Sequence, residues 1–195
     1  MNKSKFDLKG FVKFILKLKT VKRKGWLYNA KILKVESVAD HTFSTCALGM
    51  LFSDMLQLNT EKVMKMILIH DLSESITGDF IPGEISTNDK IKQENDAMNN
   101  ILSYLPIEIS SIYDDIWQEY QSGSTKESQL VKILDKLELL LQADIYLQEG
   151  YNKKNLKQFF DSASNYINFN NHNTDQKSDV YYYMSDILRH LRSIF

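Results

Sequence analysis

Apolar residues recur along this chain at spacings of three and four, and no stretch sustains a one-by-one alternation of apolar and polar residues. That periodicity predicts an all-α protein, and with two prolines and seven glycines in 195 residues little interrupts it. A first helix is expected from about Lys5 to Leu18, with Leu8, Phe11, Ile15 and Leu18 as its apolar stripe and Lys9, Lys13 and Lys17 on a solvated face. The second follows Ser37, where "SVAD" has the form of a capping box closed by Asp40, and continues through "HTFSTCALGMLFSDML". A third starts near Thr60 and carries "EKVMKMILIHDLSES"; it is apolar nearly all round between Val63 and Ile69, which marks a central helix. A loop with Gly78, Pro82 and Gly83 ends it. Further helices are expected from about Asp89 to Leu105, from Pro106 through Tyr120 and, after the loop and cap "SGSTKE", from about Lys126 to Glu149. An Asn-rich loop, "NFNNHNTD", then precedes a final helix from about Lys177 to Ile194.

The length is most simply that of one domain over residues 1–195, with a core at about 20–150, an N-terminal helix and a C-terminal helical extension. There is no internal repeat and no second composition regime. Apolar (43%) and charged (25%) fractions are those of an ordinary soluble globular chain, and a net charge of −1 gives no support to a nucleic-acid polymer as partner. The charge is uneven, however. Between Lys3 and Lys34 eleven Lys or Arg residues face a single acid, Asp7, an end suited to attracting a phosphorylated ligand. The one cysteine, Cys46, excludes an intramolecular disulfide and a Cys-rich zinc site, and its apolar neighbours place it in the core. Lys13 and Lys17 interrupt the apolar run near the N-terminus, and no stretch approaches the roughly 20 apolar residues of a membrane span. The expectation is a cytoplasmic protein without a membrane partner.

Chemistry concentrates in "LIHDLSESITGD", residues 68–79. His70 and Glu74 are four apart and Asp71 and Glu74 three apart, so Glu74 lies over the same patch as both, with Asp79 close behind. Imidazole with carboxylate is a ligand set for Mn, Fe, Co or Zn, but two residues do not make a site. Of the other histidines, His172 and His190 are expected at the surface. His41 sits in the first turn of an apolar helix, where a buried histidine satisfied by one hydrogen bond is by itself the better reading. Asp135, within "LVKILDKLELLLQADIYL", shares a polar wedge with Lys132, Glu138 and Gln142; periodicity leaves it balanced between a solvated and a site role.

An ordered set of segments breaks that balance. "RKGW" (23–26), "ESVADHTF" (36–43), "LIHDLSESITGD", "KIKQENDAM" (90–98) and "LVKILDKLELLLQA" (130–143) together resemble the HD-domain metal-dependent phosphohydrolases, in particular their 5′-deoxynucleotidases. The resemblance implies an all-α HD-domain bundle in which His41, His70, Asp71 and Asp135 hold one divalent ion (Co, Mn, Mg, Zn or Fe). It implies that Glu74 and Asp79 are the acids at the reacting phosphate, and that with the carbonyl of Phe80 they hold a second cation in some relatives. Arg23 falls where the family contacts phosphate, and Trp26 where it packs near the sugar and disfavours a 2′-hydroxyl. Ser73 and Ser75 stand where relatives often carry Ala, and past Gly150 the likeness fades.

The implied activity is metal-dependent hydrolysis of the 5′-phosphate of deoxyribonucleoside monophosphates, by a homodimer. Two other readings stay open on the sequence: an HD-domain phosphohydrolase or phosphodiesterase acting on a cyclic or signalling nucleotide, and a catalytically silent nucleotide-binding regulator. The presence of all four ligands and both acids argues against the last.

Overall fold

The protein is described by a computed structural model over residues 6–172 and 179–194, with side chains described for 6–167, 186–190 and 192–194. In chain order the helices are α1 (Leu8–Leu18), α2 (Lys24–Tyr28), α3 (Val38–Met55), α4 (Thr60–His70), α5 (Glu74–Thr77), α6 (Thr87–Leu102), α7 (Ile107–Ser122), α8 (Lys126–Gln148), α9 (Lys153–His172) and α10 (Asp179–Ile194). The only β pairing among the described residues is an isolated bridge between Lys22 and Ser37. The expectation of an all-α protein holds.

Helix starts follow local chemistry. The side chains of Asp7, Ser37, Asn59, Ser86 and Thr125 each accept a hydrogen bond from a first-turn N–H. At Ser37 the box is reciprocal, because Asp40 also accepts from the Ser37 backbone N–H at 2.8 Å. This fixes where α3 begins and therefore where His41, one turn in, is aimed. Helix α7 ends on Gly123 in the left-handed region (φ 64°), which a residue without Cβ adopts without strain.

The hub is α8, which touches α3, α4, α7, α9 and α10. Its Leu134, Leu137 and Leu140 are fully buried with Met66 and Ile67 of α4, each large side chain contributing about 1.5–3 kcal/mol of burial. A second apolar cluster lies beside it, formed by Trp26, Ala30, Ile32 and Val35 from the segment around α2 with Ala143, Tyr146 and Leu156 from α8 and α9. It seats the chain that enters α3.

Several expectations need correcting. Leu8 and Ile15 of α1 are exposed; the buried side of that helix is Gly10 and Leu18, with Phe11 and Phe14 partly buried against the core. Gly10 sits so close to the Tyr104 ring that a Cβ would overlap it, which turns the helix toward that face. Helix α4 does not run on to Ser75 but stops at His70, and three turn residues separate it from the four-residue α5. It is also not buried on every side, since Leu68 is exposed. The helix expected from about Asp89 to Leu105 runs Thr87–Leu102, and Pro106 caps α7 from outside.

The largest difference lies past Gly150. The Asn-rich stretch expected as a loop is helical through His172, the end of α9, while residues 173–178 lie outside the described residues. Leu156, Phe160, Ala163 and Ile167 form the buried stripe of α9 at helical spacing, and that packing against α8 outweighs the asparagines. Cys46 is in the core, Lys9, Lys13 and Lys17 are exposed, and His190 is exposed, as expected. The side chain of His172 lies outside the described residues.

Candidate metal centre

His41 is fully buried one turn into α3, and its ring is straddled by two carboxylates from α8. Asp135 and Glu138, three residues apart, share a helix face. Asp135 Oδ1 lies 3.3 Å from His41 Nε2, while Glu138 Oε2 lies 2.6 Å from Nδ1. From α4, His70 brings its ring to 5.5 Å from that of His41, centroid to centroid. Its Nδ1 is 2.6 Å from the carbonyl oxygen of Ile67; a carbonyl only accepts, so Nδ1 donates and Nε2 is left with its lone pair facing the site. Asp71, the residue that stops α4, sets Oδ2 at 3.2 Å from His70 Nε2 and 3.8 Å from His41 Nε2. The geometry thus brings His41, His70, Asp71 and Asp135 together from three parts of the chain.

A divalent cation fits this donor set. His41 Nε2, His70 Nε2 and Asp71 Oδ2 are buried without a hydrogen-bond partner among the described residues, and such atoms are costly unless something binds them. His41, His70 and Asp71 each offer a ligand atom within 4.8 Å of the others. The set is borderline to hard and excludes no first-row divalent ion.

The two further acids flank the same place. Glu74 opens α5 and is buried, with Oε2 unpartnered. Burial above all, then the charges of Asp71 and Asp79, holds its proton well above the usual carboxylate range. Gly78, at φ 74° and ψ 168°, makes a turn that costs a side-chain-bearing residue dearly, and it swings Asp79 back to accept from the Lys24 N–H. Phe80 follows at the rim of the cleft.

Arg23 stands 3.7 Å from Asp71 Oδ2 and 3.9 Å from Glu36 Oε1. Trp26 is buried; its Nε1–H donates to Glu36 at 2.8 Å and its ring packs against Phe159 of α9 at 4.2 Å between centroids. Burial chiefly, then the Glu138 charge, pushes Glu36 up to about 7, with Arg23 and the Trp26 N–H working against it. At Asp71 burial is the largest influence and opposes ionisation, yet His70, His41 and Arg23 together hold the carboxyl well below its usual range.

Arg23, Trp26, His70, Asp71, Glu74, Asp79 and Asp135 border one cleft of about 640 Å³, whose further walls include Lys90, Tyr120, Lys132, Lys136 and Gln158. Lys136 Nζ lies 2.9 Å from Asp135 Oδ2.

Sequence reasoning gave Glu138 no role beyond sharing the polar wedge of Asp135; it is buried against His41. The signal lay in its spacing, since a residue three beyond Asp135 shares whatever Asp135 faces. Glu36 and Lys136 lay within segments read for other residues. Phe159 was missed because α9 itself was.

The HD domain family model matches residues 15–173. The chain is 39% identical over 164 residues to the 5′-deoxynucleotidase HDDC2 of Dictyostelium discoideum, covering 78% of this chain and 86% of that protein. Against the human 5′-deoxynucleotidase HDDC2 the identity is 33% over 159 residues, 81% of this chain and 77% of that one. Among solved structures, a conserved hypothetical protein from Pyrococcus furiosus superposes with a TM-score of 0.70 at 26% identity, over 94% of this chain and 98% of the other. A match that spans the chain from within α1 to the end of α9 carries one conclusion: this chain belongs to the HD-domain family.

Proposed function

We propose that the protein is a metal-dependent 5′-deoxynucleotidase, a phosphohydrolase that releases the 5′-phosphate of deoxyribonucleoside monophosphates. The observation that carries this reading is the convergence of unpartnered His41 Nε2, His70 Nε2 and Asp71 Oδ2, with Asp135 beside them, under a cleft that Arg23 and Trp26 wall. Its relatives named 5′-deoxynucleotidase support the substrate class.

In this reading His41, His70, Asp71 and Asp135 hold one divalent ion, and Glu74, Asp79 and the Phe80 segment border the place of a second. A bound cation supplies Lewis-acid polarisation of the phosphate and lowers the pKa of water toward neutrality. Glu74, whose Oε2 has no hydrogen-bond partner among the described residues, takes a proton from the attacking water. The new bond joins the water oxygen to phosphorus, the bond from phosphorus to the 5′-oxygen breaks, and the nucleoside leaves with the proton that Glu74 took from the water. Arg23, held by Asp71 and Glu36, neutralises the phosphoryl oxygens as charge builds on them. Asp79, fixed by the Lys24 N–H, orients Glu74 and the water.

Trp26 gives the wall its sugar preference. Its N–H is already committed to Glu36, so it offers a 2′-hydroxyl no partner, and a buried unpaired hydroxyl costs about 1–3 kcal/mol. Phosphate release from matched deoxy- and ribonucleoside monophosphates, metal by metal, is therefore expected to favour the deoxy form by roughly 10- to 100-fold in kcat/KM. Equal rates overturn the sugar preference, and no release with any of Mn, Co, Mg or Zn overturns the activity.

Lys90, Lys132 and Lys136 also border the cleft, which favours as a second reading a nucleotide with additional or cyclic phosphate. The same assay with a cyclic nucleotide and a guanosine polyphosphate decides between them. The assembly we propose is a homodimer, supported by the exposed apolar side of α3 (Phe43, Met50, Leu51), and the compartment is the cytoplasm, where the free thiol of Cys46 stays reduced. A solution mass of 22.7 kDa rather than twice that removes the dimer.

A further inference from the structure

The ring of His41 has two nitrogens and two carboxylates to serve them, and only one of those carboxylates belongs to the ligand set. We propose that Glu138 is a positioning residue of the metal centre: it accepts a hydrogen bond from the Nδ1–H of His41, which locks the ring and presents Nε2 to the ion. The inference rests on the reading of His41 as a ligand, and adds a residue to it.

The contact is the short one of the pair, 2.6 Å from Nδ1 to Glu138 Oε2, against 3.3 Å from Nε2 to Asp135 Oδ1. Both partners are shut off from water, with His41 at 0% and Glu138 at 3% exposure, so no solvent molecule competes for the proton. The neighbouring ligand solves the same problem differently. His70 Nδ1 donates to the Ile67 carbonyl oxygen, an acceptor from its own helix, whereas His41 is held from another helix by a carboxyl side chain. A carboxylate behind an imidazole raises the electron density at the far nitrogen and adds negative charge that a cation compensates. One turn of α8 thus supplies a ligand, Asp135, and the acceptor that aims a second ligand on α3.

A simple tie between α3 and α8 would also account for the contact, so the test must read the ion and the tautomer. Mn(II) affinity is measured on wild-type protein, Glu138→Gln and Glu138→Ala by titration with detection of free ion. Circular dichroism checks the fold, and long-range nitrogen–proton spectra of His41 report which nitrogen is protonated. Loss of an outer-shell carboxylate weakens metal binding by about 10- to 100-fold, the range expected for Glu138→Ala together with a mixture of His41 tautomers. Glu138→Gln keeps an acceptor but loses the charge, and is expected between the two with a single tautomer. A folded Glu138→Ala that binds Mn(II) as the wild type does overturns the role of Glu138 alone. If that variant does not fold, wild-type affinity in Glu138→Gln does the same. A wild-type protein that binds none of Mn(II), Co(II) or Zn(II) overturns the role and the metal reading together.

Discussion

His41 has a proton to lose before it can serve as a ligand, and its surroundings set when. Burial is the strongest influence and opposes protonation, and Arg23 adds to it, but the two carboxylates that straddle the ring, Asp135 and Glu138, outweigh both and push it up to about 9. Below that pH the site binds a cation only by expelling a proton. Apparent metal affinity is therefore expected to rise about tenfold per pH unit between pH 6.5 and 8.5, flattening as the ring deprotonates. Titration calorimetry in buffers of differing ionisation heat would count the released proton, and a flat profile would remove His41 from the ligands. At this scale the sequence was legible where residues sit together, as in His70, Asp71 and Glu74. It was ambiguous at Asp135, because a polar wedge on a helix looks the same whether it faces water or the inside of a cleft.

Helices α3 and α4 must approach closely for His41 and His70 to share one ion, and Gly49 is where they do. A Cβ on Gly49 would come within 3.0 Å of Ile67 Cδ1, and it would also press on Val63, both side chains fully buried with little room to retreat. Gly49→Ala is expected to cost about 1–3 kcal/mol in chemical denaturation, in spite of the better helix propensity of alanine. An unchanged midpoint would mean that α3 is not seated on α4 in this way. The long elements were legible from their apolar spacing and caps, α3 and α8 nearly to the residue. The short α2 and α5 were not, because one turn leaves no period to read, and α9 was hidden by the asparagine-rich sequence at its end.

Across the whole molecule, six acids crowd a small volume: Glu36, Asp71, Glu74, Asp79, Asp135 and Glu138. Arg23 and Lys136 neutralise part of that charge, and a divalent ion neutralises more. Metal present at about 100 times its Kd adds about 2.7 kcal/mol to stability, so chelation is expected to lower Tm by roughly 5–10 °C in a chain of this size. Identical melting with and without chelator would mean that no ion is held in the folded state. The overall class was the easiest thing to read from the sequence, since periodicity is a global signal. Which turns of which helices face one another is set by packing that no single segment encodes. One consequence reaches beyond catalysis. In the proposed site, an ion shared by His41 and Asp135 would close a loop of roughly a hundred residues, and a covalent bridge across such a loop is worth about 4–5 kcal/mol of lost chain freedom. With Cys46 as its one cysteine, the chain has no disulfide to draw on, and the ion becomes its removable cross-link.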